Sequence, residues 1–89
     1  MQKPTVDRVA ELLLKHDPMQ IYFPEHGNTD EYSPEARDIA VRLHLCTSEA
    51  QCLDLLHATF VRFFGADIAG DRDRYAAAAS DVWALRQTL

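Results

Sequence analysis

Glycine and proline are scarce in this chain. Three glycines and four prolines in 89 residues are too few for a disordered or low-complexity segment. Gly27, Gly65 and Gly70 are isolated from one another, so no glycine-rich loop is present to cradle a phosphate. The two cysteines, Cys46 and Cys52, do not form a Cys-x2-Cys pair, and no His-x3–5-His pair accompanies them. That spacing excludes the short-loop zinc patterns. No run of eighteen apolar residues occurs, which excludes a transmembrane helix. The first fifteen residues, MQKPTVDRVAELLLK, carry acids inside the apolar stretch and lack a small-residue cleavage site, so they are not read as a signal peptide. The expected compartment is therefore the cytoplasm, with both thiols reduced.

The most telling absence is of positive charge. From His16 to Ala36 (HDPMQIYFPEHGNTDEYSPEA) there is no Lys or Arg, while Asp17, Glu25, Asp30, Glu31 and Glu35 are all acidic. The chain has 14 acids and 9 bases. Five acids lie in this stretch, which leaves nine acids against nine bases elsewhere. The whole net charge of -5 is thus concentrated in 21 residues. The same stretch contains Met19, Ile21, Tyr22, Phe23 and Tyr32, so it is aromatic as well as acidic. An acidic balance disfavours direct nucleic-acid binding, which needs a basic face.

What remains reads as a single helical domain over residues 1–89. A composition of 47% apolar and 26% charged residues is that of an ordinary globular domain, one with enough apolar surface to form a core. Residues 5–15 place Val6, Val9, Ala10, Leu13 and Leu14 on one helical face, and Asp17-Pro18 stops that helix. Residues 17–32 form a connection longer than usual, with Ile21, Tyr22 and Phe23 expected to plug it into the core. Ser33-Pro34-Glu35 predicts a helix start with serine as cap, and Ala36, Ile39, Ala40 and Leu43 predict its inner face, with an end near His44 or Leu45. Ser48 and Gln51 form a capping-box pattern for a third helix reaching about Phe64, where Gly65 is placed to end it. A short connection over 65–70 leads to a fourth helix from Asp71, with Tyr75, Ala78, Ala79, Val82 and Trp83 inward. The expectation is a compact all-α four-helix domain with a long ordered loop between helices 1 and 2.

Candidate chemistry is sparse. His44, Cys46, Cys52 and His57 are the residue types of a zinc site, but on a helix Cys52 and His57 lie about 140° apart. His16, Asp17, Glu25, His26, Asp30 and Glu31 lack the alternation of a calcium loop. Ser33, Ser48 and Ser80 suit capping or helix surfaces better than nucleophilic catalysis, and Cys46 with His44 has no glycine-rich oxyanion pocket beside it. No carboxylate pair is singled out by spacing. Phe60, Phe63, Phe64 and Trp83 read as core, and Arg72 and Arg74 as a solvated first turn. No enzyme activity, metal or cofactor is expected. The acidic stretch admits two compatible readings. It is either a solvated loop whose acids cap neighbouring helices or an electronegative patch for a basic partner.

The order Leu13, Asp17-Pro18-Met19, Asp30-Glu31-Tyr32, Glu35-Ala36 and Ile39 resembles a family of small bacterial helical domains of unknown function. Its members carry a Trp-Asp-Pro-Ile/Leu motif followed by Asp-Glu-Tyr and a helix. Here His16 stands at the tryptophan position and Met19 at the isoleucine position. The resemblance implies a helical fold and a structural role for Asp17 and the 30–32 turn. By size and charge the chain is also similar to immunity proteins of bacterial toxin systems, including contact-dependent growth inhibition. The expected function is protein binding, with Asp17, Glu25, Asp30 and Glu31 facing a basic toxin domain and Tyr22, Phe23 or Tyr32 anchoring the contact. A small self-associating regulatory or scaffold domain, forming a homodimer, is the alternative.

Overall fold

The computed structural model describes residues 2–19 and 32–89, with side chains from Thr5 onward. Within them the chain is all-α. It forms α1 (Gln2–His16), α2 (Ser33–Arg42), α3 (Glu49–Phe64), α4 (Ala66–Ala69) and α5 (Ala76–Gln87), with 3-10 turns at Leu43–Leu45 and Arg72–Tyr75. Of the loop expected over residues 17–32, residues 20–31, with the plug of Ile21, Tyr22 and Phe23, lie outside the described residues.

The helices form where apolar spacing requires them. On α1, Val9 and Leu13 are fully buried, with Val6, Ala10, Leu12 and Leu14 half-buried around them. This stripe packs on α2 and α5. α3 contributes Cys52, Leu56 and Phe60 from one face, and α5 contributes Ala78, Ala79 and Val82. The small alanines of α5 let α3 approach closely.

Phe60 is the centre of the core. Its ring stacks on Tyr75 at 4.9 Å between centroids and on Phe64 at 5.8 Å, and meets Tyr32 edge-on at 5.9 Å. Such pairs add to the free energy of burial. Phe64 and Trp83 are only partly buried. Phe63, expected in the core, is 45% exposed. It lies seven residues after Leu56, in phase with the buried stripe, but in an open hollow beside Pro34, Arg37, Asp38 and Val41 of α2.

The helix ends depart from the sequence reading in three places. Ser33 does not cap α2. Tyr32 is the N-cap, Ser33 is already helical, and no side chain caps this end. The Tyr32 carbonyl takes the first helical bond from Ala36 N at 2.8 Å, so the helix starts where Tyr32 is held. At α3, Ser48 Oγ accepts from Gln51 N at 3.2 Å as the capping box predicts, but Gln51 Oε1 reaches one residue further out and accepts from Thr47 N at 2.6 Å. The 65–70 connection is itself a helical turn, α4. Gly65 (φ 86°, ψ 155°) and Gly70 (φ 75°, ψ -162°) bracket it. Both occupy backbone territory that is essentially restricted to glycine.

Arg72 and Arg74 are not simply solvated. Arg72 Nε donates to Asp54 Oδ1 at 2.6 Å and its Nη2 to Ala50 O at 3.2 Å, tying the last corner to α3. Arg74 Nη1 donates to the carbonyls of Ile68 and Ala69 at 3.0 and 3.1 Å, closing the C-terminal end of α4.

Truncating Phe60 to Ala should destabilise the domain by about 3–5 kcal/mol, because it leaves a cavity among three aromatic rings. Phe63→Ala should cost less than about 1 kcal/mol. Urea unfolding of the two variants measures both, and equal losses would contradict the placement of Phe63 outside the core.

Candidate interaction surface

α1 ends at His16 because Pro18 prevents its continuation. Asp17 turns the chain, with its N–H on Leu13 O at 2.7 Å and φ at +44°. That left-handed conformation suits aspartate better than most residues with a Cβ. The turn is then locked by a side chain fifteen residues away. Tyr32 Oη donates to Asp17 Oδ1 at 2.5 Å and accepts from Met19 N at 3.1 Å. One hydroxyl therefore uses both its donor and acceptor capacity to join the residues entering and leaving the acidic segment. The Tyr32 ring beneath it is fully buried.

Met19 extends this clasp. Its Sδ lies 3.5 Å from Tyr75 Oη and 3.9 Å from Arg74 Nη1. Tyr75 Oη donates to Ala69 O at 2.5 Å. Burial raises the Tyr75 phenol above its ordinary pKa, and the Arg74 charge opposes the rise only partly. The hydroxyl therefore remains a donor through the neutral range.

A second tie holds the end of α1 to α5. His16 Nε2 donates to Asp81 Oδ2 at 2.7 Å, and Lys15 Nζ to the same oxygen at 3.3 Å. The His16 and Lys15 hydrogen bonds hold the Asp81 carboxyl below its usual range. Both side chains also sit in the last turn of α1, where the helix dipole favours positive charge.

The residues singled out by sequence divide into two groups. Asp17 and Tyr32 come together as an internal clasp. With its side chain wholly buried, Tyr32 presents no area to a partner in this conformation, and its expected anchoring role gives way to a structural one. Tyr22, Phe23, Glu25, Asp30 and Glu31 lie outside the described residues. Glu35 is buried in the first turn of α2, so it does not extend the acidic surface. Sequence reasoning missed Met19, His16 and Asp81 as supports. The only signal for Met19 and His16 was that they flank Asp17-Pro18; nothing in the spacing pointed to Asp81.

The four candidate zinc ligands serve other ends. His44 is exposed, and its carbonyl accepts from Arg86 Nη2 at 3.2 Å. His57 Nε2 donates to Gly70 O at 2.9 Å, which places the proton on that nitrogen in the neutral ring. Cys46 and Cys52 are buried free thiols in contact. Burial, followed by the hydrogen bond and proximity of Cys46, pushes Cys52 up to about 12, so it stays a thiol rather than a nucleophilic thiolate. Among the described residues, no three His, Cys, Asp or Glu side chains group in a way that could hold a metal ion, and no helix is long and apolar enough to cross a membrane.

Comparison with protein families, with curated proteins and with solved structures finds no match.

Two outcomes follow from this geometry. Tyr32→Phe keeps the ring but leaves Asp17 and the Met19 amide without their shared partner. It should lower stability by about 1–3 kcal/mol and speed amide exchange at Met19. Unchanged protection at Met19 would show that the clasp does not hold the segment. Asp81, with its folded pKa depressed, stabilises the fold above the ordinary carboxylate range, and that contribution is lost as pH falls through the folded value. Asp81→Asn should therefore flatten the decline in denaturation midpoint between neutral pH and about pH 3. A decline as steep as in the unaltered chain would remove Asp81 from the acid response.

Proposed function

We propose that this chain is a non-enzymatic protein-binding module that acts in the cytoplasm as an immunity protein. It neutralises a cognate bacterial toxin whose active site is basic, as a nuclease's is. The observation that carries this reading is the segregation of charge. The entire net charge of -5 falls between His16 and Ala36, and concentrated like charge works against folding unless it has a use.

Asp17 and Glu35 are taken up by the fold, which leaves Glu25, Asp30 and Glu31 as the acids that face the partner. Tyr22 and Phe23, on the same segment, supply the contact area that rigid aromatic side chains bring to hot spots. The clasp of Asp17, Met19 and Tyr32 supports the reading by fixing both places where the segment joins the helical body. Such fixing reduces the entropy lost on binding. Complementary charge accelerates encounter, and the gain fades as salt screens it.

The test begins by immobilising the full chain and capturing the basic domain that binds it from a lysate of its own source. Binding of that domain is then measured by calorimetry at low and high salt. Replacing Glu25, Asp30 and Glu31 together by Gln, Asn and Gln should weaken binding at least about tenfold and flatten its salt dependence. Unchanged affinity with unchanged salt dependence would refute the assignment.

A further inference from the structure

The toxin-binding reading makes no use of the two buried thiols, yet the fold sets them side by side. Cys46 ends the 3-10 turn, where its N–H donates to Leu43 O at 3.0 Å. Cys52 lies in the first turn of α3, where its N–H donates to Ser48 O at 3.1 Å. The residues between them are tied down as well. Ser48 Oγ accepts from Gln51 N, and Gln51 Oε1 accepts from both the N–H and the hydroxyl of Thr47. Arg86 Nη2 donates to His44 O and so pins the 3-10 turn to α5. Both backbone positions are therefore fixed, and the Cys46 side chain is the hydrogen-bonding neighbour of Cys52.

The two thiols differ in access. Cys52 is fully buried. Cys46 is 4% exposed and lines an open hollow beside Leu45 and Leu55. A small oxidant entering that hollow meets Cys46 first. A single buried thiol acts as a small apolar group. A second thiol within reach changes the outcome of oxidation, because a sulfenic acid condenses with a neighbouring thiol to a disulfide.

We propose that Cys46 and Cys52 form an oxidisable pair, in which Cys46 reacts with hydrogen peroxide and Cys52 then closes an intramolecular disulfide with it. In the first step the peroxide O–O bond breaks and an S–O bond forms on Cys46. The thiol proton leaves with the departing oxygen as water. In the second step the Cys52 sulfur attacks the Cys46 sulfur. The S–S bond forms, the S–O bond breaks, and the Cys52 proton leaves with the hydroxyl as a second water. The two thiols together lose two electrons, and the peroxide gains them. The bond joins the end of the 3-10 turn to the first turn of α3 and clamps the corner between α2 and α3. Reduction is slow from this state. A reductant reaches the Cys46 sulfur first and must expel Cys52, whose thiol is pushed up by burial and is a poor leaving group.

The test exposes the full chain, reduced and freed of reductant, to hydrogen peroxide under native conditions, then denatures it and adds iodoacetamide. The reduced chain takes an alkyl group on each of its two cysteines. The oxidised chain should take none, run as a monomer on a nonreducing gel, and yield a peptide that joins Cys46 to Cys52. Methionine oxidation adds oxygen without changing the count of alkylated thiols. Cys52→Ser should leave a sulfenic acid on Cys46 that dimedone captures. Cys46→Ser should slow the loss of the remaining thiol at least about tenfold, because Cys52 is shielded. Circular dichroism establishes that both variants are folded. Dithiothreitol should reopen the bond at least about tenfold more slowly in the native chain than in urea. Two thiols that persist in the unaltered chain would overturn the proposal. So would disulfides formed only between chains, or a Cys46→Ser chain that loses its thiol as fast as the unaltered one. The result is independent of whether a toxin domain binds the acidic segment.

Discussion

The hydroxyl of Tyr32 is the point on which the rest of the arrangement depends. It braces the turn that follows α1, and the backbone of the same residue caps α2. By donating to Asp17 it stabilises a left-handed turn just after α1, and by accepting from Met19 N it satisfies a backbone donor that has left the helix. Its ring, edge-on to Phe60, carries that polar junction on the core. A buried hydroxyl with both capacities used is worth far more than its net hydrogen-bond energy suggests, because losing either partner leaves a desolvated group behind. The start of α2, the turn after α1 and the position of Met19 against Tyr75 are all tied to this placement.

Around that junction the helices are held by a few charged residues rather than by a large core. Lys15 and His16 reach Asp81, Arg72 reaches Asp54, and Asp38 gathers Arg42 and Arg62. Exposed pairs of this kind contribute little one by one. Their effect here is to fix which helix face meets which, as all but the Asp38–Arg42 pair link elements distant in sequence. Three acids outside the acidic stretch, Asp38, Asp54 and Asp81, carry these ties.

Much of the fold was legible in the sequence. The stripes of Val9 and Leu13, of Ala36 and Ile39, of Leu56 and Phe60 and of Ala78 and Val82 have a helical period, and burial follows period. The stop at Asp17-Pro18 and the cap at Ser48 have local chemistry that spacing reveals. Other features did not show because they depend on distant residues. Tyr32 reads as an exposed aromatic until Asp17 is seen beside its hydroxyl. Phe63 has the right phase for the core, yet it lies exposed beside Pro34, Arg37 and Val41 of α2. Arg72 and Arg74 look like a charged helix start until the carbonyls of α4 and the Asp54 carboxylate are placed near them. The acidic segment was legible as a concentration of charge, but its relation to the fold became visible only through its two tied ends.

Those tied ends bear on how the chain can change over time. When the two ends of a segment are joined independently of what lies between them, the folding cost of that segment depends on its length only logarithmically. Doubling the twelve residues from 20 to 31 would cost about 0.6 kcal/mol in closure entropy. A change in the closed length alone enters only through that logarithm, whereas a change at Asp17, Met19 or Tyr32 removes the joint itself.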